Sequence, residues 1–176
     1  MTGRRAESLE TARCLVYTRL MVDNVYNSEY YMREALKEAQ IAFGLGEVPV
    51  GCVIVRDGGI IARGHNLTET AKDPTVHAEM NALRDAAKAL GGWRLPGCSA
   101  YVTCEPCPMC AGAMVWARIG DLYIGADDPK AGACGSVVEI ASNPGLNHEI
   151  KVHRGILKDE CSQILKDFFR DLRTKP

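Results

Sequence analysis

A chain of 176 residues with 47% apolar composition is long enough for one compact domain with a sizeable core. Its formal net charge of -1 excludes a positive field over the whole molecule, so any nucleic-acid binding must come from a local basic patch. No apolar run approaches the roughly 18 residues of a membrane-spanning helix. The eight cysteines are too sparse for a disulfide-stapled scaffold, and several cluster at 104–110 with metal-like spacing, which points to a reduced, cytoplasmic protein.

Residues 1–29 read as an N-terminal extension. Arg4, Arg5, Arg13 and Arg19 suggest a transit peptide, but Glu7 and Glu10 count against one, and there is no secretory apolar core. A tail without fixed structure, a cloning remnant, or translation begun upstream of a true start at Met21 all fit. Residues 30–176 then form the functional domain.

Met32, Leu36, Ala39 and Phe43, with Ala35 between them, share one face of a helix over 30–43, ended by Gly44 and Gly46. The apolar, β-branched run 50–55 predicts a central strand. Asp57-Gly58-Gly59 predicts a turn into a second strand over 60–64. Asp73 reads as an N-cap with Pro74 at the first helical position, opening a helix that runs to about Leu90 and stops at Gly91-Gly92. A third strand is expected over 99–103, a helix over 109–118 and a fourth strand over 121–125. The glycine- and proline-punctuated stretch that follows is expected to be irregular around one short helix, with a fifth strand over 150–153. Cys161, Ile164, Leu165, Phe168 and Leu172 form the apolar stripe of a C-terminal helix. Strands alternating with covering helices indicate an α/β fold, a three-layer α/β/α sandwich with a mixed, about five-stranded central sheet and helices on both faces.

Two short segments carry chemistry. His77-Ala78-Glu79 and Pro106-Cys107-Pro-Met-Cys110 together match the established H-x-E and P-C-x-x-C signature of zinc nucleobase deaminases. A catalytic zinc keeps three protein ligands, here His77, Cys107 and Cys110, and leaves a fourth position for water. Both segments are expected to open helices, where free N–H groups and the positive end of the dipole favour thiolate over thiol. Cys104 extends the run to Cys104-x2-Cys107-x2-Cys110. A bacterial ferredoxin would continue it with a further cysteine and proline, whereas Met114 and Val115 stand there. A structural four-ligand zinc including Cys104 would close the site and leave Glu79 without a task, so Cys104 reads as a packed thiol. Glu79 is either a solvated first-turn glutamate or the proton shuttle between attacking water, ring nitrogen and departing amine.

The wider sequence resembles the bacterial tRNA-specific adenosine deaminases of the cytidine/deoxycytidylate deaminase superfamily. The resemblance rests on Glu47-Val-Pro-Val-Gly51, Asp73-Pro-Thr-Val-His-Ala-Glu79, Glu105-Pro-Cys-Pro-Met-Cys-Ala-Gly-Ala-Met114 and Gly125-Ala-Asp-Asp-Pro-Lys-Ala-Gly132. It extends through Pro144-Gly-Leu-Asn-His148, Gly155-Ile-Leu-Lys-Asp-Glu-Cys161 and Asp167-Phe-Phe-Arg170. It implies a cytidine-deaminase-like sandwich, one Zn2+ per subunit with no organic cofactor, and a homodimer acting on a tRNA anticodon stem-loop. The reaction implied is hydrolytic conversion of the wobble adenosine to inosine.

By position, the resemblance makes Glu79 catalytic. It gives Asn66 a bond to the flipped base, whose bland reading is a turn residue. Val48, Pro49, Val50, Ala78 and Pro106 would line the base pocket. Asp128, Lys130, Lys166, Phe169, Arg170 and Arg173 would contact RNA, although a polar turn and a solvated helix face account equally well for the charged ones. The alternatives are a free-base or nucleoside deaminase such as guanine deaminase, which shares the Glu-Pro-Cys-Pro-Met-Cys run, and a non-catalytic zinc-bearing RNA-binding module, which would not need Glu79.

Overall fold

The computed structural model describes residues 28–174, and a helix, α1, occupies 28–44 at its start. Residues 28 and 29, grouped with the N-terminal extension above, are thus helical; the rest of that extension lies outside the described residues. Met32, Ala35, Leu36 and Ala39 of α1 are buried, as their spacing predicts.

Strand β1 (Gly51–Arg56) returns as β2 (Gly59–His65) through Asp57 and Gly58, whose φ angles are 50° and 77°. Positive φ at both central residues matches the turn twist to that of the strands. A short helix α2 (Thr68–Ala71), which the sequence pattern does not announce, follows, then α3 (Ala78–Leu90), β3 (Cys98–Cys104) and α4 (Pro108–Ala117). The chain closes with β4 (Asp121–Ala126), β5 (Lys151–Arg154) and α5 (Lys158–Thr174). The sheet order is β2-β1-β3-β4-β5, with β1 antiparallel to β2 and β3, and β3, β4 and β5 parallel.

Alternate residues of each strand face two separate cores, which is the period-2 geometry of a sheet buried on both sides. Cys52, Ile54, Ala100, Val102, Leu122 and Ile124 pack against Ala82, Leu83 and Ala86 of α3 and Ala111, Met114 and Val115 of α4. On the other face Val53, Val55 and Tyr101 meet Tyr31, Met32, Ala35 and Leu36 of α1 and Cys161 of α5. The expected three-layer sandwich is present.

Three local expectations are corrected. Asp73 caps a turn rather than a helix: its Oδ1 accepts bonds from the Thr75 N–H at 2.8 Å and the Thr75 hydroxyl at 2.7 Å, and α3 begins only at Ala78. No helix forms between β4 and β5, because backbone donors there bond to buried side chains and to one isolated bridge, Cys134 with Glu139. Leu172, placed on the apolar stripe of α5, is 55% exposed.

Register decides where the loops emerge. Gly51 pairs with His65, Cys52 with Val102 and Cys104 with Ala126. The start of β1 and the ends of β2, β3 and β4 therefore lie at one edge of the sheet, and segments 48–50, 66–67, 105–107 and 127–130 all leave from that edge. Helix α5 heads the same way: a Cβ on Gly125 would meet Cys161 Sγ at 2.4 Å, while Phe168 sits edge-on to Phe43 at 5.7 Å, near the end of α1.

Candidate active site

Packing against β2 fixes the first half of the site. A Cβ on Gly64 would lie 2.2 Å from the Ala78 carbonyl oxygen and 2.6 Å from the Ala82 nitrogen, so α3 rests directly on the strand backbone. That contact sets the height of the first turn of α3, with His77 as its N-cap and Glu79 inside the turn. The second half comes from α4, where Cys107 is the N-cap and Pro108 opens the helix with φ already suited to it. Neither residue makes the usual side-chain N-cap bond, which leaves the imidazole and the thiol for other work.

They converge. His77 Nδ1 lies 3.7 Å from Cys107 Sγ and 3.5 Å from Cys110 Sγ, and all three donor atoms fall within 4.8 Å of one another. A tetrahedral zinc with Zn–S of about 2.3 Å and Zn–N of about 2.0 Å separates sulfur from nitrogen by about 3.5 Å. The observed spacings match, so the donor set fits zinc through Nδ1 and the two sulfurs. Among the described residues this is the one such group of histidine, cysteine or carboxylate donors, and Cys104 is not in it.

The electrostatics suit a metal. The bond from Cys110 and the proximity of His77 hold the Cys107 thiol down to about 4 against its burial. Its neighbour Cys110 is pushed up, first by sharing that bond with Cys107 and then by burial. The Cys107 bond raises His77. A cation bound between the two sulfurs would displace the remaining thiol proton. Cys104 is pushed up to about 12 by burial and by surrounding carboxylates, so it stays a thiol. All the cysteines among the described residues are free.

Glu79 is only 4% exposed, and burial raises its pKa above the ordinary carboxylate value. It interacts with Cys110, which places its carboxyl beside the donor triad. Beside the donor triad, a carboxyl made more basic by burial can accept a proton and return it, as a proton shuttle requires.

The remaining predicted residues divide by location. Asn66 is 7% exposed and follows β2; its Oδ1 accepts a bond from the Thr68 hydroxyl at 2.8 Å and its Nδ2 donates to Glu47 at 3.2 Å. Ala78 is wholly buried, Pro49 and Pro106 are buried, and Val48 and Val50 are half-buried at the same sheet edge. Asp128 Oδ1 accepts from the backbone N–H groups of Lys130 and Ala131, so this carboxylate shapes its own turn.

Lys166, Phe169, Arg170 and Arg173 are exposed on α5, in the other helical layer, and Arg170 pairs with Asp167 at 2.8 Å. They share the end of the molecule with the triad but not its pocket. Three residues escaped the reading of the sequence. Glu47, Glu105 and Arg154 are polar groups whose partners lie far along the chain; Glu47 and Glu105 open two of the family-like segments, and nothing local singles out Arg154.

A family model for the cytidine and deoxycytidylate deaminase zinc-binding region matches residues 25–126. The tRNA-specific adenosine deaminase of Bacillus subtilis is 50% identical over 147 residues, covering 84% of this chain and 91% of its own. A structure from work on A-to-I editing by tRNA:A34 deaminases at the wobble position of transfer RNA is 48% identical. It has a TM-score of 0.75 and covers 77% of this chain and 99% of its own. The guanine deaminase of Bacillus subtilis is 33% identical with a TM-score of 0.55, covering 84% of this chain and 94% of its own.

Proposed function

Since the chain belongs to the cytidine and deoxycytidylate deaminase family, and within it to the tRNA-specific adenosine deaminases, we propose that it hydrolyses the 6-amino group of the wobble adenosine in a tRNA anticodon, giving inosine and ammonia. The observation that carries the chemistry is the convergence of His77, Cys107 and Cys110 beside the buried Glu79. The choice of substrate rests on the gap between 50% identity to a tRNA deaminase and 33% to a guanine deaminase.

His77, Cys107 and Cys110 would hold one zinc ion per subunit, and that ion supplies the Lewis acidity that makes water reactive at neutral pH. Glu79 removes a proton from the attacking water as its oxygen bonds to C6 of the base. The same carboxyl then passes that proton to the adjacent ring nitrogen. The second proton of the water leaves with the amine as the C–N bond breaks, so water and adenosine become inosine and ammonia. Asn66, held on both sides of its amide, presents a fixed face to the base. Val48, Pro49, Val50, Ala78 and Pro106 form the apolar walls.

An adenosine in an anticodon loop is already partly unstacked, so extruding it costs little. Asp128 and Lys130, on the loop that follows β4, would contact the neighbouring nucleotides. Lys166, Phe169, Arg170 and Arg173 extend a basic, aromatic surface on the outgoing half of α5, suited to phosphates and stacked bases. A homodimer is supported by two exposed tryptophans, Trp93 at 55% and Trp116 at 64%, whose segments are drawn together by the bond from Leu95 N–H to the Ala117 carbonyl at 2.6 Å. A cytoplasmic location fits the free thiols and the tRNA substrate. No helix among the described residues is long and apolar enough to cross a membrane.

The test is to incubate zinc-loaded protein with an anticodon stem-loop carrying a wobble adenosine and, separately, with free guanine. Inosine in the first arm without xanthine in the second supports the reading. Xanthine without inosine would replace it with guanine deamination.

A further inference from the structure

Glu105 immediately precedes the metal-ligand segment, and its side chain has no exposed surface. It accepts bonds from the backbone N–H groups of Asp128 at 3.2 Å, Cys134 at 3.0 Å and Ser136 at 3.1 Å, and from the Ser136 hydroxyl. Arg154, at the end of β5, reaches the same carboxylate from Nη2 at 2.7 Å and Nη1 at 3.4 Å. The same guanidinium also donates to Asp127 Oδ1 at 2.6 Å, to Ser136 Oγ at 2.9 Å and to the Cys134 carbonyl. Lys158 binds the other oxygen of Asp127 at 2.6 Å. Backbone bonds complete the unit: Glu105 N–H to the Ala126 carbonyl at 2.9 Å, and Ala133 N–H to the Pro106 carbonyl at 2.8 Å.

Apart from the Glu105–Arg154 pair at its centre, every bond in this set joins segment 126–136 either to residues 105–106 or to Arg154 and Lys158. The contact is tight: a Cβ on Gly132 would fall 2.5 Å from Glu105 Cδ. A buried ion pair is an inefficient source of stability, since apolar residues of similar volume often do as well. What a planar guanidinium with several fixed partners supplies is geometry. The segment it holds carries Asp128 and Lys130, and the carboxylate it holds stands two residues before Cys107.

We infer that Arg154, acting through Glu105, is a positioning residue that locks the 127–136 loop in register with the metal-bearing start of α4, so that the RNA seated on the loop is aligned with the site of deamination. This rests on the tRNA reading above. Neither side chain touches the reacting atoms.

Arg154→Lys keeps a positive charge against Glu105 but loses the fork that also reaches Asp127, Ser136 and the Cys134 carbonyl. It should raise KM for the anticodon stem-loop by about tenfold to a hundredfold, the range expected when an outer support is lost. Zinc content and kcat should stay near the parent values. Hydrogen exchange should show lost protection at the Asp128, Cys134 and Ser136 amides while α3 stays protected. Asp127→Asn leaves Glu105 and Arg154 paired but weakens the outer arm. It should move KM the same way by a smaller factor, and it decides the matter if Arg154→Lys does not fold.

An unchanged KM in a folded variant overturns the inference, and so does a fall in kcat and zinc content at constant KM, which is what a merely structural role would give. A parent protein that neither binds nor converts the stem-loop overturns the tRNA reading and this inference together. A parent that converts it with variants of unchanged KM overturns this inference alone.

Discussion

Replacing Gly64 by alanine tests how the fold sets the active site, because the substitution lies on β2 and alters no functional side chain. The new methyl would sit 2.2 Å from the Ala78 carbonyl oxygen and 2.6 Å from the Ala82 nitrogen, where ordinary contact begins at 3.4 Å. Both obstructing atoms are helix backbone, so no flexible side chain can swing aside. Helix α3 must instead lift by about 1 Å at its first turn. That turn carries His77 and Glu79, so the lift opens the spacings of 3.7 and 3.5 Å between His77 Nδ1 and the two sulfurs. Forcing a group into a packed contact typically costs about 1–3 kcal/mol of stability. A misplacement of about 1 Å at a reacting centre can lower turnover about a hundredfold. The assay combines urea unfolding, zinc content after dialysis against a weak chelator, and kcat on the stem-loop. Gly64→Ala should fold with reduced stability, retain zinc poorly and turn over about a hundredfold more slowly. A variant with parental zinc retention and kcat would refute the claim that the strand–helix contact sets the site.

Glu79→Ala should retain zinc, because the three donors are untouched, and lose activity by several powers of ten; metal loss in the folded variant, read by elemental analysis, would contradict the division of labour. Cys107→Ala should lose both metal and activity, and full activity would remove Cys107 from the donor set. Glu47 supplies a pH test. Burial raises its pKa, but bonds from the N–H groups of Thr70 and Glu69 outweigh this and leave it below the ordinary carboxylate value of 4.5. A lowered folded-state pKa stabilises the protein above the unfolded value, and that contribution disappears as pH falls through the folded value. The stability advantage of the parent over Glu47→Gln should therefore be full near neutrality and shrink below about pH 4.5, as urea unfolding across the acid range would show. An advantage independent of pH would contradict it.

The sequence made the chemistry legible because a metal centre needs few residue types at fixed spacings, and His77, Cys107 and Cys110 satisfy those spacings within two local segments. The strands were legible through the apolar run that became β1 and the turn at Asp57-Gly58, where local conformation and long-range packing agree. Where they compete, sequence reading erred. Asp73-Pro74 has the residues of a helix start, yet the Asp73 carboxylate closes a turn on Thr75, and α3 waits until its backbone can rest on Gly64. The stretch after β4 has the punctuation of a loop around one short helix; backbone donors there are taken instead by Glu105, 23 to 31 residues earlier in the chain. No local pattern encodes that partnership. Arg154 was illegible for the same reason: its chain neighbours reveal nothing of Glu105, Asp127 or Ser136.

The central claim is that His77, Cys107, Cys110 and Glu79 deaminate adenosine in the anticodon loop. The most direct test is mass spectrometry of nucleosides from a wobble-adenosine stem-loop after incubation with the zinc-loaded protein, with Glu79→Ala in parallel. The account predicts inosine at the wobble position with the parent and unchanged adenosine with the variant. Intact adenosine with the zinc-loaded parent, or equal inosine from both proteins, would contradict it.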